Sequence, residues 1–348
     1  MKISDEHINA IRTLGYTADE ARFLYVVATH SGYFVPRQFV AFTGVSWGKR
    51  PDNFTNKLER YGHATWREYP DMGGVYHLFS KTLYRLIGRE NLRNRRHHAT
   101  EFIRTRLLLL DFVIANPDHR YLETEHDKLR FFCDELGVPK KALPAKAYEG
   151  PSTPEPTLRY FVDKFPLFLD ASNPSSSPVV TLSYVDPGHT TLGSFAHHLN
   201  QYLPLLQYLT DFHFVYIAGS TLHFERAETC FTSLVKAPFG HTAPEELERY
   251  FRLREAWDRK EYRMLSTEDI EWLDQANHSF GGTHVDRLYK MWVSGDSGKQ
   301  LWRGLLTAGQ ASQSAEFQTA LITSTTLAAI TKARRTGWTS PGNFKRPS

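Results

Sequence analysis

Three glycines, Gly32, Gly44 and Gly62, mark the ends of three short helices expected in the N-terminal part of the chain. Glycine ends helices because it adopts the left-handed backbone without steric cost. Thr17 followed by Glu20 has capping-box spacing, and Ala21, Leu24, Tyr25, Val27 and Ala28 continue a helix that stops at Gly32. Pro36 suits the first position of a second helix carrying Phe39, Val40 and Phe42, closed by Gly44. A third helix is expected from Asp52 to Tyr61, ended by Gly62. Phe54 and Leu58, four apart, face inward there, while Asn53, Asn56, Lys57 and Arg60 point elsewhere.

Beyond Gly62 the period changes to that of two strands, His63–Tyr69 and Val75–Phe79, around a turn from Pro70 to Gly74. Three short helices and a hairpin make a winged helix, in which the third helix enters a major groove and the hairpin is the wing. Lys49 and Arg50 precede that helix, Asn53, Asn56, Lys57 and Arg60 lie on it, and Arg67 lies on the wing. Lysine and arginine neutralise phosphates, and asparagine and arginine bond base edges, so double-stranded DNA is the expected partner. A solvated helix face, or a module that docks on another protein, would use the same residues.

The charge distribution points the same way. Residues 1–100 hold 15 Lys and Arg against 9 Asp and Glu, a net of +6. The rest of the 348 residues hold 27 against 29, a net of −2. A second basic stretch, 332–348, carries Lys332, Arg334, Arg335, Lys345 and Arg346 with no acid, and is expected to be a flexible tail that meets a polyanion. Hydrophobic residues make up 41%, which excludes disorder for most of the chain, and the length predicts two to three domains. Cys133 and Cys230 share no metal or disulfide spacing, and the first residues lack the apolar run of a signal peptide. The longest apolar stretch, Leu107–Ile114, is too short for a bilayer. A cytoplasmic chain with no membrane contact is the expectation.

After a short helix from Ser80, one long helix is expected from Glu90 to Ala115, terminated by Asn116 and Pro117. It begins with Arg93, Arg95, Arg96, His97 and His98 and continues through the apolar Ile103, Leu107, Leu110, Val113 and Ile114. Such a helix either bridges two domains or pairs with a copy of itself in a homodimer. The Pro-rich segment 142–157 reads as a linker. Strand-like 158–169 and Val179–Asp186, helix 190–209, strand Phe212–Ala218 and helix 221–235 form an α/β layer, and the chain beyond Pro244 reads as helical. The expected fold class is therefore multidomain α+β: a winged helix over 1–88, a helical connector and linker over 89–157, an α/β domain over 158–240, a helical region over 241–331 and the tail.

Tyr160-Phe161-Val162-Asp163, then Leu182-Ser183-Tyr184-Val185-Asp186-Pro187-Gly188, then a helix holding Phe195, Leu199 and Tyr202, resemble the replication-relaxation family of bacterial plasmids and integrative elements. With the N-terminal pattern from Ala21 to Leu78, the resemblance covers roughly 15–235. It implies a winged helix joined to a domain related to restriction endonucleases. A working nuclease of that kind needs two carboxylates on Mg²⁺ and a following lysine. The resemblance offers Asp163 and Asp186 for the carboxylates, but Tyr184 stands where relatives carry an acid and no lysine follows Asp186. Lys164 would point to the opposite strand face. The expectation is a nuclease-like scaffold without catalytic residues, with Asp186-Pro187-Gly188 serving as turn chemistry and Asp163 facing solvent.

No metal site is expected from the sixteen histidines, since neighbours such as His197 and His198 diverge on a helix. No phosphate loop, dinucleotide fingerprint or nucleophile elbow occurs, so no cofactor is expected. The sequence thus reads as a DNA-binding protein acting in transcription or replication control of a mobile element. A Mg²⁺-dependent nuclease and a winged-helix adaptor for another protein are the alternatives.

Overall fold

In a computed structural model the chain is a mixed α+β protein. The structure describes residues 3–46, 48–149, 157–163, 165–170, 179–188, 190–236, 243–280, 283–295, 299, 302, 314–323 and 330–332. The basic stretch 333–348, most of residues 150–178 outside the strands, Trp47, Lys164 and His189 lie outside the described residues.

The N-terminal part contains α1 (Asp5–Arg12), α2 (Ala18–His30), β1 (Tyr33–Phe34), α3 (Pro36–Thr43), α4 (Lys49–Arg60), β2 (Ala64–Tyr69) and β3 (Gly73–Leu78). Helix α2 starts on the expected capping box, with Thr17 Oγ1 accepting from the Glu20 N–H and Glu20 Oε2 from the Thr17 N–H. Helix α3 carries Pro36 in its first turn and ends on Gly44 at φ 67°. Helix α4 begins at Lys49, three residues before the expected Asp52. Pro51 is tolerated there because the first N–H groups of a helix have no intrahelical partner. Phe23, Phe39 and Phe54 interlock, the last two stacked with centroids 4.2 Å apart, so the three helices share one aromatic core. The strands form an antiparallel sheet in the order β1-β3-β2. Helix α1 and strand β1 were not expected from the sequence.

Helix α5 (Lys81–Leu86), capped by Ser80, precedes α6 (Thr100–Ala115). The single helix expected over Glu90–Ala115 is not formed: residues 93–95 make only a 3₁₀ turn. The cause is Asn94, whose buried amide donates to the carbonyls of Ala28 and Thr29 at 3.1 and 3.0 Å, near the end of α2 where helical carbonyls run out of partners. The close crossing needs Gly32, because a Cβ there would lie 2.3 Å from the Asn94 carbonyl oxygen.

The remaining elements are β4 (Arg120–Tyr121), α7 (Glu125–Leu129), β5 (Ala145–Tyr148), β6 (Thr157–Tyr160), β7 (Phe168–Leu169), β8 (Val180–Asp186), α8 (Leu192–Leu206), β9 (Asp211–Ala218), α9 (Phe224–Phe231), α10 (Pro244–Asp258), α11 (Thr267–Ser279), α12 (Thr283–Trp292), β10 (Ser314–Leu321) and β11 (Ile330–Lys332). Six strands form one mixed sheet in the order β11-β10-β9-β8-β7-β4, with β8, β9 and β10 parallel. Ala145–Tyr148, inside the segment expected to be a linker, forms β5 and pairs with β6, and the strand expected over 158–169 is not continuous, since β6 stays with β5 while β7 joins the six-stranded sheet. Strand β10 and the first two residues of β11 fall within the region expected to be helical, and Lys332, expected to open the flexible tail, ends β11 paired with Gln318. Ser-Ala-Glu-Phe-Gln-Thr-Ala-Leu has weak strand propensity, and β10 is held by its full-length pairing with β9.

Successive residues of the central strands serve two cores. Leu182, Phe214, Tyr216 and Phe317 face α8 and α9. Val185, Val215, Ile217 and Ala320 share a core with the N-terminal helices and α6. Helix α6 packs on α2 and α3 as well as on β8 and β9, and its apolar side is covered within the chain. It therefore spans from the N-terminal helices to the six-stranded sheet. Arg37 on α3 fixes it further through a two-bond pair with Asp111, at 2.8 and 2.7 Å.

Candidate nucleic-acid interface

Helix α4 buries Pro51, Phe54, Thr55 and Leu58 against α2, α3 and the hairpin, which leaves Lys49, Arg50, Asn53, Asn56 and Arg60 exposed. On the hairpin, Arg67 is exposed above the Tyr69 ring, 5.4 Å from its centroid, and Trp66 is 49% exposed. Trp66 lies over Gly74, where a Cβ would meet its Nε1 at 2.4 Å, so the glycine gives the indole its seat. Arg104 of α6 pairs with Asp71 in the hairpin turn and ties the tip to the body of the protein.

Lys57 does not share the exposed face expected for it. Its ammonium donates to Glu20 Oε2 at 2.7 Å and sits over the Tyr16 ring. Arg50 is paired with Asp19 at 2.8 Å, although it stays exposed. The first turn of α2 thus supplies two acids to the basic side of α4. Helix α4 carries four cations and two acids, so with Asp19 and Glu20 counted the local charge is zero. Arg60 instead donates to the Tyr61 hydroxyl, and no acid is recorded against Lys49, Arg60 or Arg67 among the described residues.

The basic excess of the first hundred residues lies elsewhere than on α4. Residues 1–80 hold 9 cations against 8 acids, whereas 81–100 hold 6 against 1. The structure sets part of that second group beside the hairpin. His77 of β3 bonds the Asn94 carbonyl and stacks on Tyr33 with centroids 4.4 Å apart, and Tyr33 donates to the Arg96 carbonyl. Arg93 and Arg96 are exposed there. Burial pushes the His77 imidazole down to about 4, so it is neutral at pH 7.

Asp163 and Asp186 do not share a ligand site. Asp163, in the turn after β6, accepts from Tyr202 at 2.8 Å and from the Phe165 N–H, with His198 Nδ1 3.4 Å away; it does not face solvent freely. Asp186, at the end of β8, is buried and accepts from Gly188 N–H, Thr190 Oγ1 and Tyr216 Oη at 2.8, 2.7 and 2.6 Å. The Gly188 contact is the expected Asx-type turn. Tyr184 is buried among Phe165, Phe195, His198 and Tyr216. No group of three His, Cys, Asp or Glu side chains able to hold a metal occurs among the described residues. Of the histidine pair on α8, His197 is exposed and His198 buried.

Comparison with family models, with curated proteins and with solved structures finds no match to this chain. No helix among the described residues is long and apolar enough to cross a membrane.

Proposed function

We propose that this protein binds double-stranded DNA through a winged-helix unit formed by α2, α3, α4 and the β2–β3 hairpin, with the six-stranded sheet and its helices as a scaffold. The observation that carries this reading is the face of α4. Lys49, Asn53, Asn56 and Arg60 are exposed on it, beside a hairpin that exposes Arg67 and Trp66. Phosphate contacts would come from Lys49, Arg60 and Arg67, joined by Arg96, and base contacts from Asn53 and Asn56. Control of transcription or replication on a bacterial mobile element is the role that the family resemblance implies. The separate, fully bonded settings of Asp163 and Asp186 weigh against a nuclease.

One observation favours a second reading. The pairs Arg50–Asp19 and Lys57–Glu20 neutralise half of the cations on α4, which suits an adaptor that docks another protein around Trp66. Selection from a random duplex pool at fixed salt separates the two. Enrichment of a defined site supports DNA recognition, and a pool that stays unbound supports the adaptor.

A further inference from the structure

A cavity of about 130 Å³ opens between the C-terminal end of α2, the 3₁₀ turn, α7 and the β5–β6 ladder. Its carboxylates are already engaged. Glu123 accepts from Tyr25 at 2.6 Å and pairs with Arg89, and Glu125 accepts from the Tyr160 N–H at 2.9 Å and pairs with Arg159 at 3.2 Å. Two cations remain on the wall. Arg93 lies over the Tyr148 ring and donates only to its hydroxyl, at 3.2 Å. Lys128 is 6% exposed; its ammonium makes no hydrogen bond among the described residues, lies 5.3 Å from the Phe161 ring centroid, and feels the carboxylates of Asp163, Glu125 and Asp127 at longer range.

Holding an ammonium in a largely buried place without a hydrogen-bond acceptor is costly, and desolvation outweighs the pull of Asp163, Glu125 and Asp127 and pushes Lys128 below the ordinary lysine range. Phe161, which receives it, is itself held in the left-handed region at φ 50°, a conformation that costs a bulky residue of order 1 kcal/mol or more. Both features suit a wall shaped around an occupant. The volume resembles that of cavities that hold a benzene-sized body.

We infer that this cavity binds a small oxyanion, a phosphate or carboxylate group on a body of a few atoms, with Lys128 as the buried ligand and Arg93 at the mouth. The site is independent of any DNA contact, so its test needs no DNA. The full-length chain is heated in rising inorganic phosphate, and separately in rising succinate, at constant pH and ionic strength. A saturable rise in Tm with at least one anion is expected, and the anion that saturates identifies the group. Lys128→Met should weaken the apparent affinity at least tenfold, and Arg93→Gln severalfold. The exposed position of Arg93 keeps its variant folded and decisive if Lys128→Met fails to fold. No saturable rise with either anion, or an unchanged affinity in Arg93→Gln or in folded Lys128→Met, overturns the assignment.

Discussion

Lys57 on α4 and Glu20 on α2 are joined at 2.7 Å through the same carboxylate oxygen that accepts from the Thr17 N–H and closes the capping box. One acid therefore starts α2 and fixes the angle at which α4 lies against it. Both side chains are largely buried, so removing one strands the other.

Lys57→Ala is expected to lower stability by roughly 1–3 kcal/mol, because Glu20 loses its counter-charge in a partly desolvated site. Arg60→Ala should stay within about 0.5 kcal/mol of wild type, since its side chain touches only Tyr61 at the surface. Urea unfolding midpoints compare the two, and equal midpoints would remove the structural role given to Lys57.

The glycines at 32 and 44 should respond differently to alanine. Both adopt positive φ, 82° and 67°, but a Cβ at Gly32 meets the Asn94 backbone at 2.3 Å, whereas at Gly44 it meets no atom within 4 Å. Gly44→Ala is expected to cost about 1 kcal/mol from backbone strain alone, and Gly32→Ala several kcal/mol or the fold. Similar losses in the two variants would contradict the crossing of the Asn94 segment over α2.

Acid should weaken the fold through Glu123. Burial raises its pKa, but His30, Arg89 and Tyr25 outweigh burial and hold the carboxyl down to about 2, against 4.5 for the ordinary group. A depressed carboxyl contributes stability that is complete above about pH 4.5 and is lost as pH falls toward 2; here it amounts to roughly 3 kcal/mol. His77 adds a loss at milder pH, because an imidazole held near 4 must be protonated more readily in the unfolded chain, so its contribution falls between pH 6.5 and 4. In Glu123→Gln the slope of stability below pH 4.5 should flatten while the segment from 6.5 to 4.5 persists. An unchanged acid limb in that variant would show that Glu123 is not the group responsible.

How much of this was legible in the sequence depends on the range of the forces involved. The capping box at Thr17, the glycine stops at 44 and 62, the inward Phe54 and Leu58, and strands β8 and β9 follow from local periodicity and turn chemistry. The break at Asn94, the strand β10 and the pairing of Lys57 with Glu20 depend on partners distant in sequence, 65, 103 and 37 residues away. Residue type marked Lys57 as a surface cation, and only the fold reveals the acid opposite it. The cavity at Lys128 was invisible for the same reason, since α7, the 3₁₀ turn and β6 meet only in three dimensions.

With Mg²⁺ or Mn²⁺ the purified protein should leave plasmid DNA intact, because Asp163 and Asp186 each have their own donors and no shared metal position. Asp186→Asn should instead destabilise the protein, as an amide cannot accept from Gly188, Thr190 and Tyr216 together. Cleavage that vanishes in Asp163→Asn or Asp186→Asn would restore the nuclease reading.

The most direct test of the DNA-binding proposal is an anisotropy titration of labelled duplex at several salt concentrations, with wild type beside a Lys49→Ala, Arg60→Ala, Arg67→Ala triple variant. None of the three side chains is buried, so the variant should fold normally. If all three contact phosphates, affinity falls and the slope of log K against log salt flattens by about 2.7, at roughly 0.9 per contact. A wild-type protein that does not bind duplex, or a triple variant with the same affinity and slope, would contradict the account.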